Sequence, residues 1–278
     1  VPVADLRAEP RDTAERINQA LLATPLMVLA THSDPGGAGW LRVRLPDYEG
    51  WIRQEQVLCG VPPLAPPQEV CVAVLSTPLT LLEPTGTPGR RTILAYMGTR
   101  LPPTPPAAPP GAPVTLQLPD GTRALVDAAA VRPVAAPPSG AAPEILATAH
   151  TFLGTPYLWG GMTCQGIDCS GFVQIIYRVH GYTLPRDADQ QFRQIPEQVG
   201  PAEWQPGDLI FYGHPPARVI HVMLYLGEER VIHAKGGVQV LVQSTNPAHP
   251  DYHARPDHYL GARRALPAHA QIGATGGL

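Results

Sequence analysis

One cysteine lies where its thiol could act as a nucleophile. Residues 166–172 (GIDCSGF) place Cys169 at the first turn of a strongly patterned helix. The unpaired backbone N–H groups at a helix start favour a thiolate, which is the nucleophilic form of cysteine. The pattern therefore predicts a nucleophilic Cys169, and a buried, inert cysteine is the alternative. A disulfide with Cys164 would need a tight turn and would remove the nucleophile.

Two histidines further along the chain could supply the base that such a thiol needs. His221 opens an apolar strand, and His233 follows beyond residues 227–229 (GEE), which could form a hairpin turn. A three-residue loop would pair Leu226 with Arg230 and place both imidazoles on one face of the hairpin. A four-residue loop would place them on opposite faces. If both imidazoles share a face, one histidine would take the thiol proton and the second would orient the first. The alternative is that both histidines are only structural.

The elements that would carry these residues form an α+β pattern in the second half of the chain. Helical spacing covers residues 144–153 and 170–180. Strand patterns cover residues 208–212, 221–226, 230–234 and 237–243. Helices followed by an antiparallel sheet are typical of an α+β domain. We expect this domain to extend over residues 144–265.

The first half of the chain is predicted to form two small β-barrels. Short strands separated by turn residues fill 1–65, and 40–45 (WLRVRL) alternates as a half-buried strand does. A second strand-rich block over 69–133 resembles a degenerate copy of the first. Proline-rich segments at 64–68 and 134–143 predict linkers on either side of the second block.

The composition limits the possible partners. Charged residues make up 15% of the chain, the formal net charge is -3, and no run of Lys or Arg points to nucleic acid. No apolar run reaches the roughly 18 to 20 residues of a membrane-spanning helix. The four cysteines lack the spacing of a structural zinc site or a disulfide framework. We expect neither a metal nor an organic cofactor. The oligomeric state is not predicted.

The start of the chain bears on the cellular compartment. It reads VPVADLR, which is neither a signal peptide nor a transit peptide. We expect a cytoplasmic protein if no leader was removed, and otherwise a secreted or cell-envelope protein.

Five motifs, in this order, resemble those of the NlpC/P60 family. They are 156–161 (PYLWGG), 168–172 (DCSGF), 205–211 (QPGDLIF), 221–227 (HVMLYLG) and 231–234 (VIHA). The resemblance covers about 144–265 and implies a papain-like fold with cysteine peptidase or amidase activity on peptidoglycan peptides. It also implies that Cys169 is the nucleophile, His221 its base and His233 the orienting residue.

The N-terminal half resembles the bacterial SH3-like barrels that precede some NlpC/P60 domains, through residues 3–10, 14–22 and 47–52. With two such barrels, the chain is similar to the YkfC-type γ-D-glutamyl-L-diamino acid endopeptidases. In that subgroup the first barrel limits substrates to peptides with a free N-terminal L-alanine.

That resemblance implies a set of substrate-binding residues. The set is Glu15, Tyr48, Tyr157, Asp168 and Ser170. Carboxylates and oxygen acceptors suit a free ammonium group. Three of these assignments have a structural alternative: Glu15 as a surface charge, Tyr48 as a packed strand residue, and Asp168 as a helix cap that could serve both purposes. Tyr157 could also line an oxyanion site with the backbone N–H of Cys169.

We therefore expect a cysteine endopeptidase that cuts the bond between the γ-carboxyl of D-glutamate and a diamino acid. Its substrates would be peptidoglycan-derived peptides with a free N-terminal L-alanine, and the diamino acid is not predicted. Two alternatives stay open. One is another amidase or acyltransferase of the papain-like superfamily, and the other is a catalytically inactive cell-wall-binding protein.

Overall fold

The computed structural model describes residues 1–33, 36–37, 39–61, 70–83, 87–105, 108–134, 142–214, 218–253 and 258–267. The predicted linker at 64–68 and the central part of the one at 134–143 lie outside these residues. The chain divides into two compact units. The first contains Val1–Val134 and Trp159–Cys164, and the second contains Ala135–Leu158 and Gln165–Leu278.

The first unit consists of short strands. They are β1 (Val3–Arg7), β2 (Arg16–Leu21), β3 (Met27–Ser33), β4 (Gly39–Arg44), β5 (Glu49–Arg53), β6 (Val70–Val72), β7 (Ser76–Leu82), β8 (Pro88–Tyr96), β9 (Arg100–Leu101), β10 (Val114–Gln117), β11 (Arg123–Val126), β12 (Val131–Pro133) and β13 (Met162–Thr163). The strands up to Arg53 form one sheet, and those from Val70 to Pro133 form two more.

The first sheet is antiparallel, with the strand order β2-β1-β5-β4-β3. Leu41 and Val43 are buried, whereas Arg42 and Arg44 are exposed, which confirms the alternation predicted for this strand. The buried side chains of β4 pack with Leu6 and others in a core of their own. At one edge of the sheet, every residue of β3 is exposed.

The second block contains a four-stranded sheet, β10-β11-β7-β8, and a three-stranded sheet, β12-β6-β9. Leu79, Leu101 and Leu116 belong to the core that both sheets share. The strands of the smaller sheet are only two or three residues long, so they form few ladder hydrogen bonds. Across the described parts of 1–134, the sheets are open, and the strand pairs do not close either predicted barrel.

The second unit has three helices and a six-stranded antiparallel sheet among its described residues. Its elements are α1 (Ala142–His150), β14 (Gly166–Ile167), α2 (Cys169–Val179), α3 (Ala188–Gln194), β15 (Glu197–Val199), β16 (Leu209–His214), β17 (Arg218–Gly227), β18 (Arg230–Ala234), β19 (Val240–Ser244) and β20 (His258–Arg264). The sheet order is β15-β20-β16-β17-β18-β19. Both predicted helices and all four predicted strands are present, whereas α3, β15 and β20 were not predicted. None of the described helices is both long and apolar enough to cross a membrane.

The helix that begins at Cys169 is buried on nearly all sides. Phe172, Ile175 and Ile176 have no exposed surface, and α2 packs against β17 and β18. Gly181, with a φ of 84°, follows the end of the helix at a position where only glycine adopts this backbone conformation without strain. A helix enclosed in this way holds its first turn at a fixed place beside the sheet.

The hairpin β17–β18 combines a tight turn with an unpaired residue. Leu224 pairs with Ile232, which is the register expected for a three-residue loop. The turn itself consists of Glu228 and Glu229, both with positive φ angles of 49° and 56°. Arg230 pairs with Gly227, so the Leu226–Arg230 pair expected for a three-residue loop does not form, and Leu226 forms a bulge. The bulge keeps the two predicted histidines on the same face of the hairpin.

Candidate active site

The thiol of Cys169 lies at the start of α2, close to β17. Asp168 caps the helix, because its Oδ1 accepts the backbone N–H of Gly171 at 2.7 Å. The backbones of Val222 and Ser170 hydrogen-bond to the thiol. Val222 directly follows His221, so the thiol lies at the point of the strand where the predicted base is found.

Burial raises the pKa of Cys169 to about 11, and the charge of Asp168 adds to the rise. The backbone hydrogen bonds and Arg186 oppose this rise without cancelling it. The sequence argument from the helix start predicts the opposite direction. It is wrong because burial of the thiol, together with the negative charge of Asp168, outweighs the stabilisation of the thiolate by the helix start. At neutral pH the resting thiol is therefore protonated and requires a base for attack.

The carboxylate of Asp168 is neutralised by a buried arginine. Arg186 donates to both carboxylate oxygens, at 3.0 Å and 2.6 Å, and to Ser170 Oγ at 3.0 Å. Burial works to lower the pKa of Arg186, but the charge and hydrogen bonds of Asp168 outweigh it and raise the pKa. This bidentate pair fixes the residues on both sides of the thiol. The sequence reasoning missed Arg186, although a charged residue between helices, in the segment 184–187 (LPRD), could have drawn attention.

The two predicted histidines are in contact. Nε2 of His221 and Nδ1 of His233 are 2.8 Å apart, and both side chains are buried. Their rings meet edge to face, with centroids 5.0 Å apart. This confirms the shared face that the three-residue alternative predicts.

A further pair of polar residues extends from these histidines. Nε2 of His233 lies 3.1 Å from Oε1 of Gln243, and Nδ1 of His253 lies 2.6 Å from the same oxygen. The sequence reasoning assigned no role to either Gln243 or His253. Strand alternation could have found Gln243, because His233 pairs with Leu241 and residue 243 shares that face. His253 follows β19 in a loop, where no periodic pattern indicates its position.

The predicted binding residues fall into both units. Asp168 and Ser170 flank the thiol in the second unit, whereas Glu15 and Tyr48 belong to the first. Glu15 is exposed and accepts the indole N–H of Trp159 at 2.7 Å. Tyr48 is half-buried between β4 and β5, and its backbone oxygen accepts the N–H of Leu45. The substrate-binding roles of all four residues stay predictions.

Tyr157 belongs to the second unit and is half-buried. Its backbone N–H donates to the oxygen of Val238 at 3.1 Å, and the residue bridges to Ile167. Its proposed place at an oxyanion site stays a prediction. All four cysteines are free thiols, so Cys164 does not bridge Cys169. Within the described residues, no group of three His, Cys, Asp or Glu side chains is arranged to hold a metal ion.

A second buried carboxylate lies in the 205–208 turn that precedes β16. Asp208 has no exposed surface and is held by Arg264 through bonds of 2.9 Å and 2.8 Å. It also accepts the backbone N–H of Gln205 at 2.8 Å. The hydroxyl of Tyr177 donates to the oxygen of Gly207 in the same turn. These bonds hold the QPGD segment as a turn that leads into β16.

Comparisons with known proteins agree on the family of the second unit. Residues 154–256 match the NlpC/P60 family. Two relatives, from Bacillus cereus and Bacillus subtilis, are each named gamma-D-glutamyl-L-lysine dipeptidyl-peptidase. The first is 40% identical over 135 residues (47% of this chain and 38% of that protein), and the second is 39% identical over 97 residues (34% and 32%). The chain thus matches about a third of the length of each relative.

A solved structure shows the same fold. It is an NlpC/P60 family protein from Bacillus cereus, with a TM-score of 0.75 and 24% identity. The similarity covers 96% of this chain and 98% of that one. The match at 154–256 contains Cys169, His221 and His233. This chain therefore contains an NlpC/P60 domain, with a fold of mixed strands and few helices.

Proposed function

We propose that this protein is a cysteine peptidase with Cys169 as nucleophile, His221 as base and His233 as the residue that orients the base. The observation that carries the proposal is the 2.8 Å contact of His221 with His233, because His221 directly precedes Val222, whose backbone bonds to the Cys169 thiol. A neutral thiol, a base beside it and an orienting group behind the base form the arrangement that acyl transfer requires.

The reaction follows from this arrangement. His221 takes the thiol proton as the sulfur of Cys169 attacks the substrate carbonyl, and the carbonyl oxygen becomes an oxyanion. When the intermediate collapses, the C–N bond breaks, and His221 donates the proton to the leaving amine. A water molecule then attacks the thioester, His221 accepts its proton, and the released thiol regains that proton as the acid product leaves. We propose Tyr157 and the backbone N–H of Cys169 as donors to the oxyanion.

The substrate that we propose is a peptidoglycan peptide cut between the γ-carboxyl of D-glutamate and a diamino acid. The relatives named for γ-D-glutamyl-L-lysine bonds support this choice. We propose that Asp168, Ser170, Glu15 and Tyr48 bind the free amine of an N-terminal L-alanine. Carboxylates recognise an ammonium group well when its hydrogen bonds are all satisfied.

The domain organisation belongs to the same proposal. We propose SH3-like domains over 1–65 and 69–133, followed by the catalytic domain over 144–265. Two separate cores in the first unit, one around Leu6 and one around Leu79, support the division of 1–133 into two parts. Each part has too few residues to form a large core, which is usual for SH3-like modules.

Hydrolysis of L-Ala-γ-D-Glu-diamino acid, free and N-acetylated, tests the proposal. We expect the wild type to cleave only the free peptide. Cys169→Ala should lose at least about 10³-fold in kcat/KM, because the thiol forms the covalent bond. Cys59→Ala makes the same change at an exposed thiol and should keep full activity.

The other outcomes are equally informative. Equal cleavage of both peptides would keep the peptidase and refute the amine-binding roles of Glu15 and Tyr48. Cleavage of neither peptide, with Cys169 still reactive toward an alkylating reagent, would indicate a different amide or acyl substrate. An unreactive Cys169 would indicate a cell-wall-binding protein without catalytic activity.

A further inference from the structure

The protonation of the histidine pair is decided by a residue that does not titrate. The oxygen of the Gln243 side chain has no hydrogen to donate, so it acts only as an acceptor. Nε2 of His233, 3.1 Å away, must therefore carry the hydrogen of that bond. In a neutral imidazole one nitrogen is a donor and the other an acceptor, so Nδ1 of His233 is an acceptor.

The tautomer of His233 in turn determines the tautomer of His221. Because Nδ1 of His233 accepts, Nε2 of His221 must donate across the 2.8 Å contact. The lone pair of neutral His221 is then on Nδ1, the nitrogen turned away from His233. This is the tautomer that a general base needs, since only a nitrogen with a lone pair takes a proton from the thiol.

The opposite orientation of the amide would reverse each step. If the NH₂ group of Gln243 faced His233, it would donate to Nε2, and His233 would donate from Nδ1. His221 would then accept at Nε2 and carry its hydrogen on Nδ1, so that it could not receive the thiol proton there. Both states satisfy the hydrogen bonds among the three residues, and only one of them suits the reaction.

His253 provides a second donor to the same oxygen. Its Nδ1 lies 2.6 Å from Oε1 of Gln243, and its ring meets that of His233 edge to face at 4.7 Å. The backbone N–H of His253 donates to the oxygen of Ser244 at 2.8 Å, which holds the loop against β19. Two imidazole nitrogens thus converge on the side-chain amide of Gln243, and in this orientation both donate to its oxygen.

We infer that Gln243, held by His253, is a positioning residue that fixes the tautomers of His233 and His221 and thereby makes His221 a base. The inference rests on the proposed function for its kinetic consequence. The tautomers themselves are a property of the folded protein without substrate, so they can be measured separately.

The first test is ¹⁵N NMR of the imidazole nitrogens at a pH where the histidines are neutral. In the wild type we expect His221 and His233 both to carry hydrogen on Nε2. Gln243→Leu removes the acceptor and should leave a mixture of tautomers at both residues. Gln243→Glu keeps an acceptor of the same shape and should retain the Nε2–H form of His233. Wild-type tautomers in Gln243→Leu would overturn the inference.

The second test is steady-state kinetics on the proposed peptide. Gln243→Leu should lower kcat by about 10- to 100-fold with little change in KM, because the base and not the substrate site is affected. Gln243→Glu should recover most of this loss. Gln198→Leu makes the same change in β15, the opposite edge strand of the sheet, and should change neither kcat nor the tautomers. A loss confined to KM, or an equal loss in Gln243→Leu and Gln243→Glu, would contradict the role.

The two proposals fail in different ways. If the wild type does not cut the peptide while the tautomers respond to Gln243→Leu as expected, the substrate is wrong and the positioning role stands. If the wild type cuts the peptide while the tautomers and kcat of Gln243→Leu stay unchanged, the peptidase stands and the positioning role is refuted.

Discussion

The second unit contains two buried aspartate–arginine pairs that share chemistry and differ in their surroundings. Asp168–Arg186 is almost sealed from solvent, with side-chain exposures of 9% and 1%. Asp208–Arg264 combines a fully buried carboxylate with an arginine whose side chain is 13% exposed. Both pairs use two hydrogen bonds between guanidinium and carboxylate. The difference in exposure decides how much of the charge water can compensate when one partner is lost.

The neighbours of the two pairs differ as well. Asp168 caps the helix that begins with the candidate nucleophile and shifts the pKa of that thiol. Asp208 accepts a backbone N–H within a turn, and Arg264 also bonds to Glu197 and to the backbone of Glu203. The first pair is therefore coupled to a reactive group, whereas the second joins a turn to the sheet. A buried aspartate–arginine pair can therefore belong to a reaction centre or only stabilise the fold. The residues that the pair contacts decide between these two roles.

The largest effect should come from Arg186→Leu. This change leaves the Asp168 carboxylate buried without its partner, which costs about 3 to 5 kcal/mol of unfolding free energy. Urea denaturation measures the loss. The double variant Asp168→Asn/Arg186→Leu removes both charges and should lose less than the single variant. If Arg186→Leu were as stable as the wild type, water would have to reach Asp168. The proposed difference in solvent exposure between the two aspartate–arginine pairs would then be refuted.

A smaller loss is expected from Arg264→Leu, the same change in the other pair. Asp208 keeps its backbone bond from Gln205, and the site of Arg264 is open enough for water to enter, so we expect about 2 kcal/mol. Peptide cleavage per folded molecule should stay near the wild-type value, because Arg264 contacts no residue of the candidate site. A drop of tenfold or more in kcat for the folded variant would contradict the separation of framework and site.

The smallest effect, and the one that separates the pairs most directly, concerns the thiol. The pKa of Cys169 is about 11, so its alkylation rate in the wild type should keep rising from pH 7 to pH 10. The negative charge of Asp168 disfavours the thiolate, so Asp168→Asn should lower the pKa and move the alkylation profile to lower pH. Asp208→Asn should leave the profile unchanged, measured with iodoacetamide under native conditions. A plateau below pH 8 in the wild type would mean that Cys169 rests as a thiolate, contrary to the effect of its burial.

The sequence predicted the parts of the site that depend on local spacing. The start of α2 at Cys169 follows from a run of apolar residues, whereas strand alternation gave the shared face of His221 and His233 only as one of two alternatives. These features depend on neighbours in the chain. The alternative of a four-residue loop was excluded only by the structure, because a bulge leaves no mark in a hydrophobic pattern.

Other features depend on contacts between distant segments. Arg186 meets Asp168 across 18 positions of the chain, and periodicity gives no information on such a pair. The direction of the pKa shift of Cys169 was missed for the same reason, since it results from burial and from Asp168 together. The predicted barrels of the first half did not appear as closed sheets among the described residues, because strand patterns indicate where strands lie and not whether a sheet closes.

The unpaired Leu226 has a consequence for how this domain tolerates changes in length. Deletion of Leu226 would remove the bulge and leave the two imidazoles on the same face, because Leu226 lies beyond Leu224, the last residue of β17 that pairs with β16. A second deletion in the hairpin would remove a paired residue and would turn the two imidazoles to opposite sides. The length of this hairpin can therefore change by one residue at the bulge without loss of the histidine pair.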